Sequence, residues 1–150
     1  MTERQKAERE LFGTVFMLAE SWKHRMDDML RPDRLTTKQW MLLMTVEGLG
    51  PDAPTLGQAA ARYGASHQAV KKLAIRLEKA GFLTLEQDPA DRRSVRLRLT
   101  PHHYEYWQSR TETHRKDLSN LFSGVDDTAL TVTVTALTAL FSNSEEQRKS

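Results

Sequence analysis

The 150-residue chain contains no cysteine. This absence excludes disulfide bonds, zinc sites built from thiolates and redox sensing through a thiol. No apolar run approaches the roughly 20 residues that a membrane-spanning helix needs, so we expect no membrane partner. The first ten residues, MTERQKAERE, are mostly charged. A signal peptide would need an apolar segment there, so we expect none and predict a cytoplasmic protein.

Motifs for catalysis are also missing. The sequence has no glycine-rich phosphate loop, no nucleophile elbow and no histidine–carboxylate pattern of zinc proteases. The five histidines do not form a cluster with the spacing of metal ligands. We therefore expect no enzymatic activity, no cofactor and no metal.

The charge that is present is unevenly distributed. The whole chain has a formal net charge of +2, yet residues 66–98 contain eight lysines and arginines against four acidic residues. This segment is therefore net +4 and the remainder net −2. Such a concentration of positive charge is typical of a surface that contacts phosphates.

Residues 55–81 have the pattern of two short helices joined by a tight turn. Thr55 is a good N-cap for the first helix, and Gly64 can adopt the positive φ that the turn needs. Ser66 caps the second helix, which Gly81 ends. The apolar residues of the second helix recur at helical spacing and predict its buried face: Val70, Leu73, Ala74 and Leu77.

The residues after Gly81 alternate instead. Val95, Leu97 and Leu99 alternate with two arginines, as in a half-buried strand. Residues 82–85 supply the partner strand, and a turn-rich segment between the strands carries two adjacent arginines. The pattern predicts a helix-turn-helix with a two-stranded wing, which places one helix in a DNA major groove and arginines in the adjacent minor groove.

The exposed sides of the second helix and of the hairpin supply candidate DNA contacts. Ser66, His67 and Gln68, at the start of the second helix, are candidates. His67 and Gln68 are best placed to reach base edges, since glutamine can pair bidentately with adenine. Basic residues supply further candidates for phosphate or base contacts: Lys71, Lys72, Arg76, Arg92, Arg96 and Arg98.

Long helical patterns flank this lobe. Residues 3–31 carry two apolar stripes, which indicate packing both on the same subunit and on a partner. Residues 101–142 predict two further helices. The stretch 131–135 also alternates like a strand, but the wider helical spacing of apolar residues favours a helix. We expect residues 143–150 to form a frayed polar tail.

These patterns predict a mainly α fold with a small β-hairpin wing. The chain reads as one domain over residues 1–150, with a winged helix-turn-helix lobe at about 35–100. Dimerisation helices are expected at about 3–31 and 101–142. A group of aromatic residues could line an effector pocket, although core packing is the alternative for each: Trp22, Trp40, Tyr104, Trp107 and His114.

Three segments carry a family resemblance. Residues 35–39 (LTTKQ) open one helix, residues 77–81 (LEKAG) end another, and residues 88–93 (DPADRR) run into Leu99-Thr100. In order and spacing they resemble the multiple antibiotic resistance regulator (MarR) family of winged helix-turn-helix transcriptional regulators. The resemblance covers about residues 5 to 142.

The resemblance implies a homodimer whose terminal helices interlock, and a pseudo-palindromic operator in double-stranded DNA. It further implies a repressor that a small aromatic ligand releases from DNA. By position, Arg93 would be the minor-groove arginine and Asp91 the carboxylate that orients it. Two other classes stay open, namely a winged-helix protein-interaction module and a small-molecule binder or enzyme on the same scaffold.

Overall fold

The computed structural model describes residues 1–149 of the chain. Within them lie six α-helices and one antiparallel pair of strands, which confirms the predicted fold class. The elements are α1 (Glu3–Leu30), α2 (Thr37–Gly48), α3 (Leu56–Tyr63), α4 (His67–Lys79), β1 (Leu83–Gln87), β2 (Val95–Leu99), α5 (Pro101–Leu121) and α6 (Asp127–Lys149). A short 3-10 turn, Arg31–Asp33, separates α1 from α2.

The chain divides into two compact units. The first, residues 1–106, contains α1 to β2 and the start of α5, while the second begins at Trp107 and contains the rest of α5 and α6. Over residues 1–149, none of the helices combines the length and the hydropathy that crossing a membrane requires.

The core of the first unit lies between α2, α3, α4 and the hairpin. Its central side chains are fully or almost fully buried: Leu42, Leu43, Val46, Leu56, Ala59, Val70, Ala74, Leu77, Leu83 and Leu97. The predicted buried face of α4 is confirmed for Val70, Ala74 and Leu77, whereas Leu73 is only half-buried. Burying this apolar surface supplies the main driving force that holds the three helices against the hairpin.

Side-chain caps set where the helices of the lobe begin. Thr36 and Gln39 form a capping box at the start of α2, with the Gln39 N–H donating to the Thr36 hydroxyl at 3.3 Å. The Ser66 hydroxyl accepts the Ala69 N–H at 3.2 Å and starts α4. Gly64 has φ of 81° and lets the chain turn sharply between α3 and α4. The local signals of the helix-turn-helix are therefore confirmed.

The hairpin pairs Leu83 with Leu99 and Leu85 with Leu97. A third segment joins β2 just before α3, where Thr55 forms an isolated bridge with Arg96. Beside that bridge, the Leu97 N–H donates to the Pro54 carbonyl at 2.8 Å. The hairpin is thus hydrogen-bonded to the loop between α2 and α3.

The C-terminal segment is helical throughout its described length. The ambiguous stretch 131–135 lies inside α6, as predicted. There the hydroxyls of Thr131, Thr133 and Thr135 donate to carbonyls four residues earlier at 2.7–3.0 Å, which satisfies them within the helix. The prediction of a frayed tail after residue 142 is wrong up to Lys149, because α6 continues that far.

Candidate nucleic-acid interface

The turn between α3 and α4 presents one side of α4 to solvent. Ala59 and Ala60 on α3 are buried and small, which permits close approach of the two helices. The predicted reading side chains of α4 are all exposed: Ser66, His67, Gln68, Lys71, Lys72 and Arg76. At about 100° per residue, those from His67 to Arg76 cover about half the circumference of the helix.

This exposed side is positively charged. Among the described residues, Lys71, Lys72 and Arg76 take part in no ion pair, so their charges are available to an external anion. In contrast, Glu78 near the end of α4 accepts the Leu85 N–H at 2.8 Å and links the helix to β1. The structure therefore brings an unneutralised basic helix face next to the hairpin.

Backbone hydrogen bonds close the tip of the hairpin. The Asp88 N–H donates to the Ser94 carbonyl, and the Ser94 N–H donates to the Asp91 carbonyl, both at 2.9 Å. The Gln87 amide donates to the Arg92 carbonyl at 2.9 Å. Both tip arginines, Arg92 and Arg93, are exposed. The tip thus holds two exposed cations on a loop closed by its own backbone.

The geometry around Asp91 differs from the one implied by the resemblance. The Asp91 carboxylate accepts the backbone N–H of Arg93 at 3.0 Å. No ion pair joins the Asp91 carboxylate to the Arg93 guanidinium within residues 1–149. In an Asx turn of this kind the aspartate determines the conformation of the loop backbone. It therefore positions the Cα of Arg93 and does not hold the guanidinium directly.

Two hairpin arginines form ion pairs with other residues of the same chain. Arg96 pairs with Asp88 at 2.9 Å and donates to the Ala53 carbonyl at 2.6 Å. Arg98 is exposed, and its Nε lies 2.9 Å from a Glu86 oxygen across the strand pair. Of the predicted contacts in β2, Arg98 is exposed but ion-paired with Glu86, and Arg96 has a structural role.

Asp88 is the residue of this region whose role the sequence did not reveal. It is buried, and the N–H of Ala90 donates to its carboxylate at 2.9 Å. This hydrogen bond, followed by that from Arg96, lowers the pKa of Asp88 below its ordinary value of 3.8. The register pairs Arg96 with Glu86, so the diagonal ion pair from Arg96 to Asp88 could not be read from residue spacing.

The predicted aromatic effector group is only partly assembled by described contacts. In the first unit Trp22 and Tyr104 are exposed and Trp40 is half-buried. In the second, Trp107 and His114 are in ring contact at 5.4 Å between centroids. The buried Nε2 of His114 has no hydrogen-bond partner among the described residues, and burial lowers the pKa of this imidazole. An effector site built from all five residues remains a prediction.

Comparisons with known proteins agree with this geometry. Residues 35–94, which run from the start of α2 to the tip of the hairpin, match the model of the MarR family. The fold is similar to that of the transcriptional regulator BldR from Sulfolobus solfataricus, with a TM-score of 0.81 at 18% identity over 95% of this chain and 99% of that one.

Two further structures share the fold. A MarR protein from Peptoclostridium difficile gives a TM-score of 0.79 at 19% identity, covering 91% of this chain and 88% of the other. A MarR family protein from Bacillus stearothermophilus gives 0.71 at 22% identity, covering 95% and 97%. The segment 35–94 is thus similar to the MarR family, and the whole chain has the winged-helix fold of these structures.

Proposed function

We propose that this protein is a sequence-specific DNA-binding transcriptional regulator. The observation that carries the proposal is the exposed basic side of α4, a helix hydrogen-bonded to a hairpin whose tip has two exposed arginines. A helix of this kind enters a major groove, and a basic wing contacts the adjacent minor groove. The similarity to the MarR family supports the same conclusion.

Each part of the surface has a separate task in this mechanism. Gln68, at the start of α4, reaches base edges and supplies sequence preference. Lys71 and Lys72 neutralise backbone phosphates and supply affinity that depends on salt. Arg93 enters a minor groove, where narrow A·T-rich tracts concentrate negative potential.

The regulator acts as a homodimer on a pseudo-palindromic operator. Large apolar side chains of α1 are exposed over several turns: Leu11, Phe12, Val15, Phe16, Met17, Leu18 and Trp22. A second exposed set lies on α6: Val132, Val134, Leu137, Leu140 and Phe141. An apolar surface of this extent on two helices is typical of an obligate interface between subunits.

Repression and ligand response complete the proposal, and they rest on the family resemblance. A repressor of this type acts on chromosomal DNA in the cytoplasm. A small aromatic effector that favours one spacing of the two reading helices would shift the dimer between DNA-binding and non-binding states. No chemistry other than binding is needed for this function.

Selection of duplexes from a random pool tests the proposal. We expect the pure protein to enrich a palindromic site, with an affinity that falls steeply as salt rises. The variant K71Q/K72Q removes two of the proposed phosphate contacts, and it should lose affinity for all duplexes. If no sequence is enriched and binding is weak at low salt, the protein is a winged-helix interaction module, and the DNA proposal is wrong.

A further inference from the structure

A basic cleft lies at the junction of α1, α2 and α4. It has a volume of about 460 Å³. Its lining contains five cationic side chains and one carboxylate: Lys23, Arg31, Arg34, Lys38, Arg76 and Asp27. Apolar side chains, among them Leu35 and Leu73, complete the lining. Apart from Arg76, none of these residues was predicted from the sequence to contact DNA.

The single carboxylate of the cleft is already used. Asp27 accepts the Thr37 N–H at 2.9 Å and the Thr37 hydroxyl at 2.6 Å, which joins the end of α1 to the start of α2. These hydrogen bonds from Thr37 lower the pKa of Asp27. The carboxylate therefore fixes the backbone of the cleft and satisfies the N-terminus of α2.

Three cations of the cleft remain unneutralised. Arg31 pairs with Asp28, and Lys23 lies 3.7 Å from Glu20. Arg34, Lys38 and Arg76 form no ion pair within residues 1–149, and all three are exposed. Because these like charges line one cleft and repel one another, an anion bound in the cleft lowers the electrostatic energy.

Arg34 is held in an unusual backbone conformation. Its φ of 59° and ψ of 28° lie in the left-handed region, which arginine rarely adopts. A hydrogen bond from its N–H to the Arg31 carbonyl at 3.0 Å closes the turn. This turn places the Arg34 side chain in the lining of the cleft.

The cleft continues the proposed reading face of α4. Arg76 lines it and lies about 80° around the helix from Gln68. Glu78, which is hydrogen-bonded to β1, lies about 80° from Gln68 in the other direction. The cleft and the contact with β1 therefore lie on opposite sides of Gln68.

We infer that this cleft is a second phosphate-binding surface, which holds the DNA backbone on the side of the major groove opposite the wing. Two phosphodiester strands border a major groove, and a helix in it has one strand on either side. The wing contacts one strand, and Arg34, Lys38 and Arg76 contact the other. This inference rests on the proposed DNA-binding function and extends it to residues of α2 and of the turn before it.

A charge-neutralising variant tests the inference. R34N/K38Q removes two cations, and asparagine tolerates the left-handed conformation at position 34. The matched control is R9Q/K116Q, which removes the same charge from exposed positions on α1 and α5 that form no ion pair within residues 1–149. Both are compared with the wild type by fluorescence anisotropy on the best selected duplex over a range of salt concentrations.

The cleft variant should bind several-fold more weakly, and its salt slope should be shallower by about one unit per lost phosphate contact. Its preferred sequence should not change. Neutral methylphosphonate linkages are then placed in the duplex one at a time. They should locate flanking phosphates whose loss of charge weakens DNA binding by the wild type but not by R34N/K38Q. The control variant should keep the wild-type slope and the wild-type methylphosphonate pattern.

Two results would overturn the inference. One is a salt slope and methylphosphonate pattern for R34N/K38Q equal to those of the wild type. The other is that R34N/K38Q binds DNA like the wild type but no longer binds inorganic phosphate in calorimetry. The cleft would then be a site for a free small anion. Both differ from failure of the DNA proposal itself, in which the wild type would select no duplex.

Discussion

The Arg96 guanidinium lies 2.9 Å from the Asp88 carboxylate and joins the two ends of the hairpin loop. The same side chain donates to the Ala53 carbonyl in the loop before α3. This bridge links the wing to the segment that leads into the helix-turn-helix. The position of the wing relative to α3 thus depends on a charge pair that is partly shielded from solvent.

Replacing Asp88 with asparagine should lower stability in a pH-dependent way. The pKa of Asp88 is below its ordinary value of 3.8 in the folded state. Its ionised form therefore stabilises the fold above that value, and the contribution is lost as pH falls through the folded pKa. We expect D88N to melt a few degrees below the wild type at neutral pH.

Calorimetric melting at several pH values checks this prediction. The gap between wild type and D88N should close at pH values well below 3.8. The exposed Asp52 offers a control, since D52N should melt like the wild type at neutral pH. A gap for D88N that stays constant into acid would mean that the carboxylate charge does not stabilise the hairpin.

The parts of this structure that could be predicted are those encoded over short distances. The Thr36–Gln39 capping box joins residues that are three positions apart. The Gly64 turn depends on the φ of a single glycine. The buried face of α4 follows from helical periodicity. For these features the neighbouring residues determine the structure, so the sequence alone was sufficient.

The other parts depend on contacts that only the tertiary fold creates. Arg96 looked like one more outward cation of an alternating strand, and its partner Ala53 lies 43 residues away. The basic cleft gathers side chains from Lys23 to Arg76, and no local pattern marks them as a group. The half-burial of Leu73 could not be predicted for the same reason, since this side chain borders the cleft.

The exposed rings of α1 predict how the protein assembles. Phe12 and Phe16 are 68% and 63% exposed, with ring centroids 4.9 Å apart. We expect the wild type to be a dimer at low micromolar concentration, because burying these rings removes apolar surface from water. F12D/F16D should dissociate or fail to fold, since a charge there opposes burial.

Light scattering measures both proteins. The control is A61D, because Ala61 is exposed on α3, outside the apolar surfaces of α1 and α6. A61D should remain dimeric. A well-folded wild-type monomer at that concentration would show that α1 does not mediate self-association.

Neighbouring positions of α4 should separate sequence preference from general affinity. Q68A should change the preferred bases and cost about 1–3 kcal/mol on the best site. K72A should weaken binding to most duplexes alike and reduce the salt slope by about one unit. Competition binding with point-substituted duplexes distinguishes the two. Equal, sequence-independent losses from both variants would place base readout elsewhere.

Arg93 should contribute to DNA affinity without contributing to stability. Its side chain is exposed at the hairpin tip, and exposed charges add little to folding. R93A should keep the wild-type melting temperature and bind the selected duplex markedly more weakly. The matched control is R62A, on α3, which also removes one positive charge but leaves the wing intact. It separates the loss of one charge from the loss of the wing arginine.

Asp91 allows a sharper test of how the tip is ordered. Its carboxylate accepts the Arg93 N–H, so the aspartate acts on the loop backbone. Asparagine retains a side-chain oxygen that can accept this hydrogen bond, whereas alanine does not. D91N should therefore bind the selected duplex at least as tightly as the wild type, because it also removes a negative charge near DNA. D91A removes the same charge together with the turn, and we expect weaker binding. If D91A binds as tightly as D91N at the same salt concentration, the Asx turn does not position Arg93, and the wing acts through its net charge alone.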